Sequence, residues 1–400
     1  MNDLTVTQIA NIVNEAVEQA TGSKDIANLS TKDFVSVAQS ALLVGTDNLA
    51  VGLSQVLART IFAVRPYTRK FRGLERTNQE FGNHVRKINF LDEDAIDDQG
   101  YPISVSTPTP GTIGLYNGNS VDMYTVNLPK VYQTNFYGSG TYEFGRTFSR
   151  NQLKKAFTSA GEFNRWVQGC MTHDRNQREQ RIDVLSRGCI SNFIGGKLAA
   201  DTNNIIKLVT VYNDIKGTNL TTDTVRKPAN WGDFARWAYG YIKTLVQRMG
   251  ERSYKYHLNP TAGNIARQTN PSDMHMFMLA DFENSVDAEV LSNTYNDDYL
   301  KFVNHETINY WQSIDSPDAI NVTASWMSTA GAVVTSSDET AQSDIIGVIC
   351  DRDAVGYTLF NESVDTTFFN SRGRYYNVWY NWEGRYYNDN TENAVVLLLE

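Results

Sequence analysis

The six residues from Ala394 to Leu399 are all apolar. A run of that kind has no polar face to give to water, so it reads as a strand covered on both sides. Just upstream, Tyr376, Val378, Tyr380 and Trp382 alternate with a set that includes Asn377, Asn381 and Glu383. That period of two gives a strand with one inward face. Gly384 to Thr391 supplies turn residues between the two. Two further apolar runs, Asp344 to Cys350 and Val355 to Asn361, are split by Asp351-Arg352-Asp353-Ala354 and read as strand, turn, strand. The chain is expected to end inside its own core, so that removing the last residues prevents folding rather than trimming an appendage.

At 400 residues the chain exceeds the size at which one hydrophobic core stops growing, so two or three subdomains are expected. The formal net charge of -9 argues against a protein that holds nucleic acid by its phosphates, since that task needs clustered Lys and Arg. Cys170, Cys189 and Cys350 lie far apart with no Cys-x-x-Cys spacing, which suggests neither a zinc site nor a disulfide framework. Met1 to Leu4 has no basic lead-in or apolar segment, and no run of 18 apolar residues occurs. A protein made in a cytoplasm, with no membrane partner, is expected.

Thr5 to Gln19 and Lys32 to Val44 carry apolar residues at helical spacing, interrupted by Gly22, Gly45 and Gly52. Residues 1–85 read as an arm lying along other structure, or as a small helical domain. The basic residues Arg69, Lys70, Arg72, Arg76 and Arg86 then precede an acidic cluster, Asp92, Glu93, Asp94, Asp97 and Asp98. The cluster lacks the glycine and glutamate positions of a calcium loop, so an ion pair with a basic neighbour is the better reading. Residues 86–130 carry proline, glycine and short β-type runs, and read as a long two-stranded excursion with almost no core of its own. Val131 to Gly145 leads back to the core, and Thr147 to Phe157 reads as a short helix.

Ser159 and Glu162 have capping-box spacing and open a long helix, which Gly195-Gly196 is expected to end. At 1.5 Å per residue it is a rod of roughly 50 Å. Its middle, His173 to Arg181, has no apolar stripe and must face solvent or another chain. Ile205 to Tyr212 reads as a β run. Asn230 is expected to cap a helix whose stripe of Phe234, Trp237, Ala238, Tyr241, Ile242, Leu245, Val246 and Met249 is core. Met274 to Leu279 reads as a strand leading into an acidic helix over 280–291, Val303 to Ser313 as a strand, and Ser316 to Ser343 as an exposed loop or hairpin.

No phosphate-binding loop, strand-preceded Gly-x-Gly-x-x-Gly or His-x-x-x-His spacing exists. His173, alone amid charges, reads as a solvated residue rather than a catalytic one. No catalytic, cofactor-binding or metal-binding residue is assigned, no cofactor is expected, and an enzyme is not expected.

In order and spacing, Asp351-Arg352-Asp353-Ala354-Val355, Ser371-Arg372-Gly373-Arg374-Tyr375-Tyr376-Asn377 and Asn393-Ala394-Val395-Val396 resemble the C-terminal region of tailed-phage major capsid proteins with the Hong Kong 97-like fold. The strand, acidic helix and Tyr295-Asn296 extend the likeness. The resemblance implies an α+β fold with an N-terminal arm (1–85), an extended β-hairpin loop (86–130), a peripheral domain with a spine helix (131–196), an axial domain (197–361) and peripheral strands (362–400). It also implies many copies forming hexamers and pentamers of an icosahedral shell around double-stranded DNA, within a virion. A separate scaffolding protein, a portal protein and a cement or head-fibre protein would be its partners. The acidic cluster would dock on an adjacent subunit at Arg69, Arg72, Arg76 and Arg86 or at Arg175, Arg178 and Arg181. Two other readings stay open: a tail-associated or secreted carbohydrate-binding or cleaving protein, and an encapsulin-type compartment shell.

Overall fold

The computed structural model describes residues 69–76, 84–93, 124, 126, 128–149, 160–291 and 305–400, with backbone alone for 160–168 and a few other positions. The readings of two amphipathic helices before residue 69, of Asp94 to Asp98, of residues 150–159 and of Tyr295-Asn296 lie outside the described residues.

A five-stranded sheet lies at the centre. Its strands are β4 (Ile205–Lys207), β14 (Ala394–Leu398), β11 (Ile345–Asp351), β5 (Met274–Leu279) and β6 (His305–Ile308), in that spatial order. β14 is one strand from the edge and covered on both faces. Val395, Leu397 and Leu399 join one core with Met274, Met276 and Met278. Ala394, Val396 and Leu398 join the opposite core with Phe193 and Ile194. This two-sided burial is why the strand is apolar at every position.

Three helices cover the first face: α2 (Leu208–Lys216), α4 (Pro228–Met249) and α5 (Ala280–Leu291), with a short α3 (Thr222–Val225) leading into α4. The stripe read on α4 is core, with Phe234, Ala238, Ile242, Leu245 and Met249 buried and Trp237, Tyr241 and Val246 packed at its margin. α4 begins earlier than Asn230: Pro228 takes the first helical position, where its missing N–H costs nothing, and Asn230 Nδ2 instead donates to Thr224 O at 2.9 Å. The β run expected over 205–212 is shorter. Ile205 to Lys207 pairs in parallel with β14, and Leu208, Val209 and Tyr212 then bury one side of a helix.

The second face is covered by the C-terminal half of α1 (Ala160–Ala200), a 41-residue helix. At 1.5 Å per residue it spans about 60 Å. Gly195-Gly196 does not end it. A Cβ on Gly195 would sit 2.8 Å from Val322 Cγ2 and 2.9 Å from Ala324 Cβ, and one on Gly196 3.1 Å from Trp326 Cβ. The glycine pair is a notch that lets β7 (Ile320–Val322) and β8 (Ser325–Met327) approach the helix. Gly195→Val should therefore destabilise the fold by about 1–3 kcal/mol, because bulk is forced into a filled contact. Gly188→Ala, where a Cβ meets nothing within 4 Å, should be neutral or stabilising by up to about 1 kcal/mol. Thermal unfolding of the two variants side by side checks the pair.

β12 (Val355–Thr366), β13 (Tyr375–Asn388) and β3 (Gly140–Ser149) form a separate antiparallel sheet. The inward positions read on β13 are buried. Their rings stack across the ladder on β3, as Phe148 on Tyr376, Phe144 on Tyr380 and Tyr142 on Trp382, with centroids 5.7 to 6.0 Å apart. Thr147 to Ser149 end β3 and so do not begin a helix. The strand-turn-strand of 344–361 is correct in its elements, but β11 and β12 do not pair and enter different sheets.

Residue 362 falls inside β12, and β14 belongs to the sheet of residues 197–361 rather than to that of β12 and β13. The stretch 316–343, expected as an exposed loop or hairpin, is a hairpin, with β7 paired to β10 (Thr340–Gln342) and β8 to β9 (Val333–Thr335) inside it, and Ile320 and Ala324 of it are buried. Finally, β1 (His84–Phe90) and β2 (Val131–Tyr137) pair antiparallel from His84↔Tyr137 to Phe90↔Val131. These strands flank the expected excursion and run a few residues beyond 86–130 at each end, while residues 94–123 lie outside the described residues.

Candidate assembly interface

Part of the α1 middle folds inward, which neither sequence reading allowed, while His173, Asn176, Gln177, Gln180 and Arg181 are exposed as expected. Asp174, Arg178, Glu179 and Asp183 are all buried. Glu179 accepts from Arg69 Nη1 at 2.8 and 3.0 Å, and Arg69 also reaches Tyr357 Oη at 3.0 Å and Glu75 at 2.5 Å. Burial works against the Arg69 charge, but Tyr357, Glu179 and Glu75 together hold its pKa above the ordinary arginine value. Asp174 pairs with Arg146 of β3, and Arg178 with Glu362 of β12. Asp183 receives the Lys70 N–H at 3.0 Å and Arg187 Nε at 2.8 Å. The buried charges of this stretch are thus bonded within their own chain. They fasten the segment 69–76 and the three-stranded sheet to the long helix.

The described residues among those expected to dock on a neighbour are placed as follows. Arg69, Arg76 and Arg178 are buried and bonded internally, and Arg181 lies over the Tyr142 ring. Arg175 is half-buried. Asp92 accepts from the Ala266 N–H and from Arg252 of the same chain. Burial disfavours its charge, but those two partners hold its carboxyl below the usual range. Arg72, Arg86 and Glu93 are exposed.

The face most unlike a finished surface is on the hairpin. Arg86, Ile88 and Phe90 on β1 and Val131, Gln133 and Tyr137 on β2 point outward, and Ile88, Phe90 and Val131 are 53, 65 and 55% exposed. Val126 and Leu128 continue the apolar exposure toward β2. Contiguous apolar area of this kind on a folded surface marks a contact surface. The inward face of the same hairpin rests on the body, with Phe136 against Tyr387 at 5.3 Å between centroids.

Lys87, also inward, enters an acidic socket that sequence reasoning missed. Its Nζ lies 2.9 Å from Asp389 Oδ2 and contacts Glu392, which Arg267 also holds at 2.7 Å. The only signal was a lysine at an inward position of a strand. Burial opposes the charge of Asp389, but Lys87 and the bonds from Thr391 outweigh it and keep the carboxyl below its usual range. Glu392 goes the other way, pushed up by burial against Lys87 and Arg267.

The two carboxyls have opposite linkage. Asp389 adds stability above the ordinary aspartate value, and that stability is lost as pH falls through its depressed folded value. Glu392 takes up its proton earlier in the folded chain, which favours the folded state as pH falls. Asp389→Asn should then cost about 3 kcal/mol near neutrality and progressively less toward pH 3. Unfolding midpoints of variant and wild type that stay parallel from pH 7 to pH 3 would contradict this.

Among the described residues no group of three or more His, Cys, Asp or Glu is arranged to hold a metal, and no helix is long and apolar enough to cross a membrane. Burial pushes the Cys189 and Cys350 thiols up to about 12, which leaves them unreactive.

The arrangement of long helix, central sheet, aromatic sheet and hairpin is that of a phage capsid protein. The capsid of Staphylococcus phage Andhra contains a chain with the same fold at TM-score 0.54 and 11% identity, the match covering 84% of this chain and 85% of that one. A chain in the structure describing the head fiber and inner core protein gp22 of native bacteriophage P68 matches at TM-score 0.55 and 12% identity, over 83% and 85%. No curated protein matches. The family model for Phi29-like phage major capsid proteins matches residues 92–398, and the chain belongs to that family. Its fold is the α+β capsid fold, its function that of a tailed-phage major capsid protein, and its place the capsid of the virion. The carbohydrate-protein and encapsulin readings are not favoured.

Proposed function

We propose that copies of this chain assemble as hexamers and pentamers of a closed icosahedral shell around double-stranded DNA, and that the outer face of the β1–β2 hairpin joins each copy to the next. The observation carrying this reading is the exposed apolar row Ile88, Phe90 and Val131 on a hairpin whose other face is already packed. A two-stranded ribbon is marginal alone, so a face of this kind gains by being covered. The role is geometric rather than catalytic, and stability of the shell comes from apolar area summed over many contacts. Glu93 and Arg86, exposed on the hairpin and just past it, and the exposed Arg72 are charges left to set register between copies, with Asp94, Asp97 and Asp98 as further candidates.

A separate scaffolding protein, a portal protein and a cement or head-fibre protein complete the proposed set of partners. The P68 structure, which includes a head fiber, supports the last of these by likeness of fold alone. Light scattering and negative-stain imaging test the reading, on protein expressed alone and with its scaffolding partner. Closed shells, sheets or tubes of hexamers are the expected products, and a stable monomer under both conditions would refute it.

A further inference from the structure

We propose that the Lys87 socket sets the angle at which the hairpin leaves the subunit, and thereby the geometry of its contact with the next copy; this rests on the reading that the hairpin joins copies. Among the described residues, β1 and the residues just past it are hydrogen-bonded to the body at two places. The first is Lys87, held by Asp389 at 2.9 Å, by Glu392, and by the carbonyl of Asp353 at 3.4 Å. The second is the strand end. Asp92 N–H donates to Asn264 O at 3.0 Å, the Asp92 carboxylate accepts from Ala266 N–H and Arg252, and Leu91 N–H closes the hairpin root on Lys130 O at 2.9 Å.

The two ties are five residues apart, or about 17 Å along an extended strand. Two points fix an axis, where one would leave a pivot. The apolar contact of Phe136 with Tyr387 does not supply that direction, because hydrophobic contact is non-directional while a charge-assisted hydrogen bond is not.

The place where Lys87 lands gives the socket its meaning. Asp389 and Glu392 lie on the segment between β13 and β14, which joins the three-stranded sheet to the five-stranded one. That segment is rigid in itself, since Asp389 Oδ1 accepts from Thr391 N at 2.9 Å and from Thr391 Oγ1 at 2.7 Å. Arg267 also holds Glu392, on the same oxygen that Lys87 contacts, at 2.7 Å. The hairpin is therefore referenced to the junction of the two sheets, and each copy would present its outer face at the same angle.

The test compares wild type, Lys87→Met, and Lys87→Met with Asp389→Asn, the last removing the positive charge and the buried carboxylate together so that the fold is kept. Particles are assembled with the scaffolding partner and their diameters measured by electron microscopy, with the unfolding midpoint of each subunit measured alongside. The proposal expects the double variant to unfold near the wild-type midpoint while the single diameter class of wild-type particles gives way to mixed diameters and open sheets. Uniform wild-type shells from the folded double variant would overturn it, and so would a double variant unable to fold, which would make the socket a folding element only. Failure of the wild type itself to form shells would instead remove the underlying reading of the hairpin.

Discussion

Ile88→Asp combined with Phe90→Asp is expected to leave the subunit folded and to abolish shell formation. Both side chains are more than half exposed in the single chain, so neither carries the fold. Covering an aliphatic or aromatic side chain stabilises a contact by about 2 kcal/mol, so losing two costs about 4 kcal/mol per contact before the desolvation of two carboxylates is added. That is about three orders of magnitude in the association constant at each joint. Sedimentation of assembled material reads the effect, with circular dichroism as the control for the subunit. Wild-type particle yield from a folded double variant would remove the hairpin face from the interface.

Arg69→Ala is expected to have the largest effect on the subunit itself. Arg69 and Glu179 have side chains only 1 and 2% exposed, so a partner stranded by the substitution stays buried. Breaking a buried pair by removing one partner costs about 3–5 kcal/mol, because the other charge is stranded. That is a large part of the 5–15 kcal/mol or so that holds a domain together. The double variant Arg69→Met with Glu179→Leu should recover most of the loss, since apolar residues of similar size need no partner. Urea unfolding of the three chains measures this. A loss under about 1 kcal/mol for Arg69→Ala would show that the pair is not stabilising the attachment of segment 69–76.

The parts of the fold that sequence made legible are those whose pattern is local. Val395 and Val396 face opposite cores, and a strand buried on both sides must be apolar throughout. Tyr376 to Trp382 alternate because one face of β13 is covered, and the α4 stripe repeats every three to four residues. What was not legible depends on partners far along the chain. Glu179 looked solvent-facing because Arg69 is 110 residues away, and Arg178 because Glu362 is 184 away. Gly195-Gly196 looked like a helix end because glycine serves equally for a cap and for close approach, and only the position of Val322 and Ala324 decides. β11 and β12 looked like neighbours because a short turn joins them, yet ladder pairing sends them to different sheets. The candidate interface was partly readable. The lack of core in 86–130 pointed to a two-stranded element, of which β1 and β2 are the described ends, but their outward apolar face and the Lys87 socket required the register of β1 against β2.

The most direct test of the account is a cryo-electron microscopy reconstruction of the assembled shell at a resolution that shows side chains. The account predicts Ile88, Phe90 and Val131 covered by a neighbouring subunit, with Arg69 still paired to Glu179 of its own chain. A shell in which that hairpin face remains open to solvent, while other surfaces make every contact between copies, would contradict it.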